Sequence, residues 1–247
     1  MWDNAQALRQ LSNTLLGISL LLIFYGVLHY TVHLPLFALR AVQLSTAPQH
    51  VNTAQIEAVI RNELRGNFFT VDLDATRQAF EKLPWVRKVS VRRSYPWQLE
   101  VTLEEHAALA RWNGSELVNT LGEVFAAETD QVLPSFFGQP DTAAEITQQY
   151  HAFSKQLAPL QQQALVQISL SPRRAWQLRL SNGMVLELGR EQAQQRLARF
   201  VEVYPYSLAP LAHKVNYVDL RYRNGFAVNW PGANGRVDPP KGPRDKV

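Results

Sequence analysis

The sequence predicts an α+β protein with one membrane-spanning helix near its start. Three observations predict this class. An apolar run without Asp, Glu, Lys or Arg extends over residues 10–39, a strand, helix, helix, strand, strand order follows over residues 37–104, and alternating apolar residues flank two Asn-Gly pairs after residue 170. We expect a small βααββ domain after the membrane helix, and then a mixed β-rich domain with antiparallel hairpins and two helices.

The membrane helix is predicted from the run LLGISLLLIFYGVLHYTV at residues 15–32. About 18 residues at 1.5 Å each span roughly 27 Å, close to the thickness of the hydrocarbon layer. A cleaved signal peptide is the competing interpretation, but no small-x-small cleavage site follows this long apolar core. Arg9 precedes the run and Arg40 follows it, so we expect a cytoplasmic tail at 1–10, a span at 11–33 and an exported remainder.

Apolar spacing and capping residues predict the first two helices of the exported part. A short strand around Val42 precedes Asn52 and Thr53, either of which can cap a helix with an apolar stripe that ends at Gly66. Asp74 is expected to cap a second short helix, and Pro84 follows its end.

The next segment predicts a β-hairpin with one buried face. In QLEVTLEE the residues Leu99, Val101 and Leu103 alternate strictly with polar ones. Val91 belongs to the inward face of the preceding strand. Val86 is out of phase with it, so Val86 lies either before the strand or at a bulge.

Two further helices are expected after residue 140. The first begins at Asp141 or Thr142, because Thr142 and Glu145 have the spacing of a capping box. The second carries an apolar stripe over residues 197–204 and is expected to end at Pro205.

The two late hairpins have registers that follow from keeping one face apolar. A loop at 181–183, with Gly183 left-handed, pairs Leu180 with Met184, Leu178 with Leu186 and Trp176 with Leu188. By the same reasoning a loop at 223–225 pairs Tyr222 with Phe226, Leu220 with Val228 and Val218 with Trp230.

The strand at 226–230 is the last that the pattern predicts, because the Pro- and Gly-rich residues 231–247 are expected to be disordered. Unless it lies in mid-sheet, this strand is an open edge suited to strand addition.

Composition argues against several functions. The formal net charge of +4 is scattered and offset by 21 acidic residues, so we expect no nucleic-acid partner. The chain has no cysteine, and its six histidines show no metal-ligand spacing. Nucleophile-elbow and phosphate-loop motifs are also missing, so we expect no catalytic residue, cofactor or metal. A pair of acid and base carboxylates stays open, since it needs only proximity in space.

The stretch LPWVRKVSVRRSYPWQLEVTLEEHAALARW resembles the POTRA domain of the FtsQ/DivIB family of cell-division proteins. The Pro-Trp-Val entry and the basic strand match the family. The family has a Trp-Pro-like turn at this point, and the turn here, Tyr95-Pro96-Trp97, is a small departure that leaves the predicted hairpin intact. The resemblance covers nearly the whole chain. It implies a POTRA domain at 37–105 and a C-terminal β domain at 106–230.

The resemblance also implies a function. The family suggests a non-enzymatic, single-pass scaffold of the bacterial divisome in the inner membrane, with a cytoplasmic N-terminus and periplasmic domains at the septum. It would link early and late division proteins and bind FtsB, with FtsL alongside, by strand addition to its last strand. Other division proteins would contact the POTRA domain and the membrane helix. The alternatives are a POTRA-containing component of protein transport or assembly and, less favoured, a membrane-anchored cell-wall hydrolase.

The resemblance assigns partner-binding residues by position. In the C-terminal domain they are Arg173, Arg221, Tyr222, Asn224, Gly225, Phe226 and Trp230; in the POTRA domain they are Lys88, Val91 and Arg93. Each has an ordinary alternative role. The aromatic side chains and Val91 can be core residues, and the charged ones can belong to solvated strand faces.

Overall fold

The computed structural model describes residues 5–160, 163–210, 215–223 and 225–229. They fall into two compact units, divided between His106 and Ala107. The tail at 231–247, for which we expect disorder, lies outside the described residues.

The chain begins with a long apolar helix, α1, at Ala5–Val32. Its stretch Arg9–Val32 has 24 residues, is apolar enough to cross a membrane, and has none of its side chains buried in the protein. At 1.5 Å per residue this stretch measures roughly 36 Å, enough to span the hydrocarbon layer. Exposed side chains such as Leu21 suit contact with lipid.

A βααββ domain follows, as predicted. Its elements are β1 (Ala41–Leu44), α2 (Thr53–Glu63), α3 (Leu73–Glu81), β2 (Val86–Ser94) and β3 (Gln98–Glu105). The three strands have the order β1-β3-β2. β1 is parallel to β3, and β2 is antiparallel to it. The buried side chains lie between this sheet and the two helices, with Phe80 of α3 fully enclosed.

The caps of α2 and α3 and the position of Val86 in β2 can be compared with the sequence predictions. Asn52 and Gln55 form a capping box on α2, as expected for an Asn52 cap. Asp72, not Asp74, caps α3: its Oδ1 accepts hydrogen bonds from the N–H groups of Asp74 (2.9 Å) and Ala75 (3.0 Å). The predicted cap was wrong because the helix begins two residues earlier than a cap at Asp74 implies, at Leu73. Val86 is buried at a register shift in β2, which confirms the bulge.

Glu105, at the end of β3, anchors the segment before α2. Its carboxylate accepts hydrogen bonds from the N–H groups of Gln49, His50 and Val51 at 3.1–3.2 Å, and His50 Nδ1 lies 3.1 Å away. The indole of Trp85 stacks on the His50 ring at 4.0 Å. Burial alone would raise the pKa of Glu105, but these hydrogen bonds together outweigh it and hold the pKa below its usual value.

Replacing Glu105 with Gln should lower the stability of the POTRA-like domain, because an amide oxygen accepts these N–H groups more weakly than a carboxylate. We expect a loss of about 1–2 kcal/mol in the free energy of unfolding at neutral pH. The stabilisation that results from the depressed pKa of Glu105 is fully present above the pKa of Glu in the unfolded chain, about 4.3. It is lost as pH falls through the pKa of Glu105 in the folded protein. Urea unfolding of both proteins at a series of pH values should therefore show the difference shrinking in acid. A difference that is constant with pH would contradict this role of the charge.

The second unit is built on one mixed sheet. Its elements are β4 (Ala108–Trp112), β5 (Glu116–Asn119), β6 (Val124–Phe125), β7 (Ser135–Phe137), α4 (Ala143–Leu157), β8 (Leu165–Leu170), β9 (Trp176–Leu180), β10 (Val185–Gly189), α5 (Ala193–Ser207), β11 (Tyr217–Asp219) and β12 (Ala227–Asn229). The nine strands have the order β12-β11-β10-β9-β8-β7-β4-β5-β6.

Two parallel crossovers place both helices on one face of this sheet. β7 is parallel to β8 across α4, and β10 is parallel to β11 across α5. The amide of Gln194 in α5 donates to Gln149 in α4 over 3.2 Å, so the helices are neighbours. Between helices and sheet lies a core that includes Phe136, Phe153 and Phe200, all fully buried. The mixed β-rich domain with two helices is thus confirmed.

α4 starts where the sequence predicted, with Thr142 as its N-cap residue, but the predicted capping bond of Thr142 and the predicted end of α5 were wrong. Thr142 forms no side-chain cap on α4; its hydroxyl donates to the carbonyl oxygen of Gln139 at 2.7 Å, because a short 3-10 turn precedes the helix. α5 continues past Pro205 to Ser207. A proline removes only its own N–H, and the amide of Leu208 still reaches the carbonyl of Tyr204 at 3.0 Å.

The β9–β10 hairpin agrees with the predicted register near its turn. Leu178 faces Leu186, the N–H of Leu180 donates to the carbonyl of Met184 at 2.8 Å, and Gly183 has φ 89°. The expected pairing of Trp176 with Leu188 was wrong, since Trp176 faces Gly189 across a bulge. Gly189 accommodates the extra residue because its φ is 73°, in the region that glycine tolerates best.

Candidate protein-binding site

The strand β12 forms one end of the nine-stranded sheet. It pairs antiparallel with β11 on one side. Within the described ranges no strand of the chain pairs with its other side. The N–H and C=O groups on that side therefore form the open edge that the sequence pattern predicted, and an extended peptide can hydrogen-bond to them.

The register of β12 differs from the predicted one by two residues. Val228 faces Val218, and Ala227 faces Asp219, so Val228 does not pair with Leu220. Trp230, the predicted partner of Val218, lies outside the described residues. Tyr222 and Phe226 are likewise not a strand pair. The connection between the strands is longer than three residues because β11 already ends at Asp219. A register shift of two residues keeps Val228 on the apolar face of the sheet.

A side-chain fork between Asp219 and Arg221 explains the early end of β11. Arg221 Nε lies 2.9 Å from Asp219 Oδ1, and Arg221 Nη2 lies 2.6 Å from Oδ2. The backbone N–H of Arg221 also donates to Oδ1 at 3.0 Å. These bonds turn the chain away from the strand direction. The hydrogen bond from Arg221 lowers the pKa of Asp219, although burial opposes this shift.

Arg173 and Arg221, both assigned from the resemblance, line one cavity of about 480 Å³. Arg190 and Arg196 line it too, together with Glu191. Arg196 Nη1 donates to the carbonyl of Leu188 at 2.5 Å. Four guanidinium groups near the ends of β10 and β11 create a local field that favours carboxylates. Sequence reasoning missed Arg190 and Arg196. The β9–β10 hairpin brings Arg190 towards Arg173, because Gly189 pairs with Trp176, whereas Arg196 reaches the cavity from α5.

A second groove, about 310 Å³ in volume, lies between α5 and the segment that enters β12. Phe200 and Val203 line it from the helix, and Leu220, Gly225 and Phe226 line it from the strand side. The rings of Phe200 and Phe226 meet edge to face, with centroids 6.4 Å apart. Phe226 thus packs partly into the core and supports the edge strand from below.

The remaining assigned residues of this site differ in exposure. The side chain of Tyr222 is 57% exposed, and Gly225 is exposed as well. Along β12 itself, Ala227 and Asn229 are exposed while Val228 is half-buried. Asn224 and Trp230 lie outside the described residues.

The three residues assigned in the first unit do not share one surface. Lys88 is exposed and alternates in β2 with the half-buried Val91, which packs against the domain core. The guanidinium of Arg93 donates to three backbone carbonyls in the loop between α2 and α3, at 2.7, 3.3 and 2.9 Å. Lys88 is therefore a surface residue, whereas Val91 and Arg93 also stabilise the domain.

In the part of the chain that is described, no group of three or more His, Cys, Asp or Glu residues could hold a metal ion. The site offers hydrogen-bonding backbone, apolar support and positive charge. These are means of binding a peptide.

The apolar helix, the βααββ domain and the sheet with an open end strand define a membrane-anchored protein of the POTRA class. A family model described as "POTRA domain, FtsQ-type" matches residues 37–106, and one described as "Cell division protein FtsQ/DivIB, C-terminal" matches residues 110–221. The chain belongs to the FtsQ/DivIB family of cell-division proteins.

Similar proteins agree with this membership. The chain is 45% identical over 233 residues to "Cell division protein FtsQ" of Nitrosospira multiformis, an alignment that covers 92% of this chain and 98% of the relative. It is 40% identical over 249 residues to the protein of that name from Burkholderia pseudomallei, with 98% and 99% covered. The Escherichia coli protein of that name is 38% identical over 173 residues, which are 67% of this chain and 62% of the relative. Family membership supports a role in the bacterial divisome.

Replacing Asp219 with Asn should loosen the β11–β12 connection, because an amide cannot form the charged fork with Arg221. We expect the protected amides of β12 to exchange with deuterium roughly tenfold faster, as a loss of about 1.4 kcal/mol in local stability implies. Hydrogen-exchange mass spectrometry checks this. The matched control is Asp130→Asn, which removes the same charge at an exposed position. Equal exchange in both variants would contradict a structural role for the fork.

Proposed function

We propose that this protein is a non-enzymatic scaffold of the bacterial divisome that links early and late division proteins at the septum. The observation that carries the proposal is the open side of β12 in a chain of the FtsQ/DivIB family. The long match to proteins named for cell division favours this role over a POTRA component of protein transport.

The main partner is FtsB, which adds an extended segment to β12. Main-chain hydrogen bonds supply affinity in such strand addition. Ala227 and Asn229 are exposed and uncharged, so they leave the approach to the edge unobstructed. Phe226 and Val228 pack against the core from the other side, which keeps the strand in its binding conformation before FtsB arrives. FtsL binds alongside FtsB.

Charge and an exposed aromatic ring supply specificity at this edge. The cavity with Arg173 and Arg221 suits an acidic side chain of the partner segment next to the added strand. Tyr222, beside the loop that leads into β12, offers a large amphipathic contact surface. Asn224, Gly225 and Trp230 complete the proposed contact set.

The first domain and the membrane helix bind other division proteins. Lys88 lies on the exposed face of β2 and is suited to a direct contact. Val91 and Arg93 contribute through the shape of the domain that presents this face. We assign the POTRA domain to residues 37–105 and the C-terminal β domain to residues 106–230.

The protein is a single-pass protein of the inner membrane. Residues 1–10 form the cytoplasmic tail, residues 11–33 span the membrane, and the two domains lie in the periplasm. Arg9 at the start of the apolar helix supports this orientation through the positive-inside rule.

Ala227→Pro should abolish capture of FtsB. Proline lacks an N–H and is poorly tolerated inside a paired strand, so β12 can no longer lie between β11 and an added strand. Co-purification of FtsB with the full chain measures the effect. The matched control is Val124→Pro in β6, at the opposite end of the same sheet, which should leave capture intact. Both variants are checked by thermal unfolding, and capture by a folded Ala227→Pro protein would refute strand addition.

A reporter enzyme fused after Val247 tests the orientation. A periplasmic reporter such as an alkaline phosphatase should be active, because it folds only outside the cytoplasm. A cytoplasmic reporter at the same point should be inactive. The reverse pattern would overturn the proposed topology while leaving the β12 proposal open to its own test.

A further inference from the structure

Five aromatic rings gather at the end of the first domain that is close to α1. They are Phe37, Phe68, Phe69, Tyr95 and Trp97, and we call them the aromatic cluster. Ring centroids are 5.1 Å apart for Phe37 and Phe69, 5.2 Å for Phe37 and Trp97, and 6.1 Å for Tyr95 and Trp97. The rings come from three segments: the stretch after α1, the α2–α3 loop and the β2–β3 turn.

Hydrogen bonds tie this cluster to the last turn of α1. The side-chain amide of Asn67 donates to the carbonyl of Val32 at 2.6 Å, one of the carbonyls that a helix end leaves without a helical partner. The N–H of Phe68 donates to the carbonyl of Phe37 at 2.9 Å, and the N–H of Arg40 to that of Trp97 at 2.9 Å. The cluster is therefore held within a few residues of the point where α1 leaves the hydrocarbon layer.

Part of the cluster and its neighbourhood is exposed. Tyr95 is 82% exposed, Leu36 is 74% exposed and Phe69 is 47% exposed. Exposed apolar groups in such density require an explanation in a domain that otherwise buries its apolar residues.

The three segments that carry the cluster have full charges of one sign. In residues 33–40, 65–71 and 93–97 there is no Asp or Glu, and the full charges belong to Arg40, Arg65 and Arg93. Aromatic side chains interspersed with arginine are typical of the layer where lipid headgroups meet acyl chains, and arginine is attracted to anionic headgroups.

We propose that the aromatic cluster inserts into the headgroup layer of the membrane that α1 spans, so that the first domain docks on the bilayer. The proposal rests on the proposed membrane insertion of α1. A lipid bilayer is the partner that this cluster fits, because the cluster lies beside the end of α1 and is therefore held at the membrane surface in every molecule. β1 begins, β2 ends and β3 begins at this end of the domain, so docking would orient all three strands relative to the membrane plane.

The absence of cysteine allows a direct test with single-cysteine labels. The full chain carries an environment-sensitive fluorophore at position 95 or 69, at position 90 on the exposed face of β2, or at position 21 within α1. Each protein is reconstituted into phosphatidylcholine–phosphatidylglycerol vesicles, with nitroxide-labelled lipids as quenchers. We expect shallow nitroxides to quench labels at 95 and 69 several-fold more than the label at 90, and deep nitroxides to quench the label at 21.

The outcomes separate the two proposals. If the nitroxide lipids quench the label at position 21, but quench the labels at positions 95 and 90 equally, docking is overturned and the membrane insertion of α1 stands. Loss of quenching at 21 would overturn the anchor and docking with it. If position 95 crosslinks to a second copy of the chain and its label is not quenched by the lipids, docking is overturned and the cluster is assigned to a protein contact.

A variant provides the second test. The double substitution Tyr95→Ser and Phe69→Ser should reduce lipid quenching of a label at position 36 several-fold, because the anchoring rings are lost. Tyr95 is 82% exposed and Phe69 is 47% exposed, and thermal unfolding of the variant checks that the fold persists. The matched control is Tyr206→Ser, which removes a ring that is 86% exposed in the other unit. Unchanged quenching in the double variant would overturn the role of the cluster.

Discussion

The side of β12 that no strand of the described residues pairs with is the constraint on which the proposed function depends. An edge strand has backbone donors and acceptors that must bond to water or to another chain. The two parallel crossovers decide which strand has this position: α5 places β11 beside β10, and the return of the chain after Asp219 leaves β12 outermost. The same topology that builds the core therefore also creates the edge.

The helix α5 supports both the edge strand and its surroundings. Phe200 contributes to the core and to the groove beneath Phe226, while Arg199 Nη1 donates to the carbonyl of Arg223 at 2.5 Å in the β11–β12 connection. Arg196, on the same helix, fixes the bulge at Gly189 and borders the basic cavity. A partner strand that meets a preformed edge loses less binding free energy to ordering the site.

The sequence predicted those features that local patterns determine. The apolar helix, the βααββ order and the Gly183 turn each follow from the spacing of a few residues. The register of the last hairpin was wrong because a shift of two residues keeps the same face apolar, so the alternation does not distinguish the two registers. The fork between Asp219 and Arg221 ends β11 sooner than the apolar alternation suggests. Arg196 could not be found from spacing, because only the packing of α5 brings it to Arg173, whereas the β9–β10 hairpin already places Arg190 near Arg173.

Arg93 connects the two surfaces of the first domain. The resemblance assigned it to partner binding, yet its guanidinium holds the carbonyls of Phe68, Phe69 and Val71. Two of these residues supply rings of the aromatic cluster. A substitution at Arg93 would therefore loosen the loop that faces the membrane as well as alter the charge at the end of β2. A weakened partner interaction in such a variant would report on the placement of the domain at the bilayer, and only Lys88 offers a contact on β2 without this structural role.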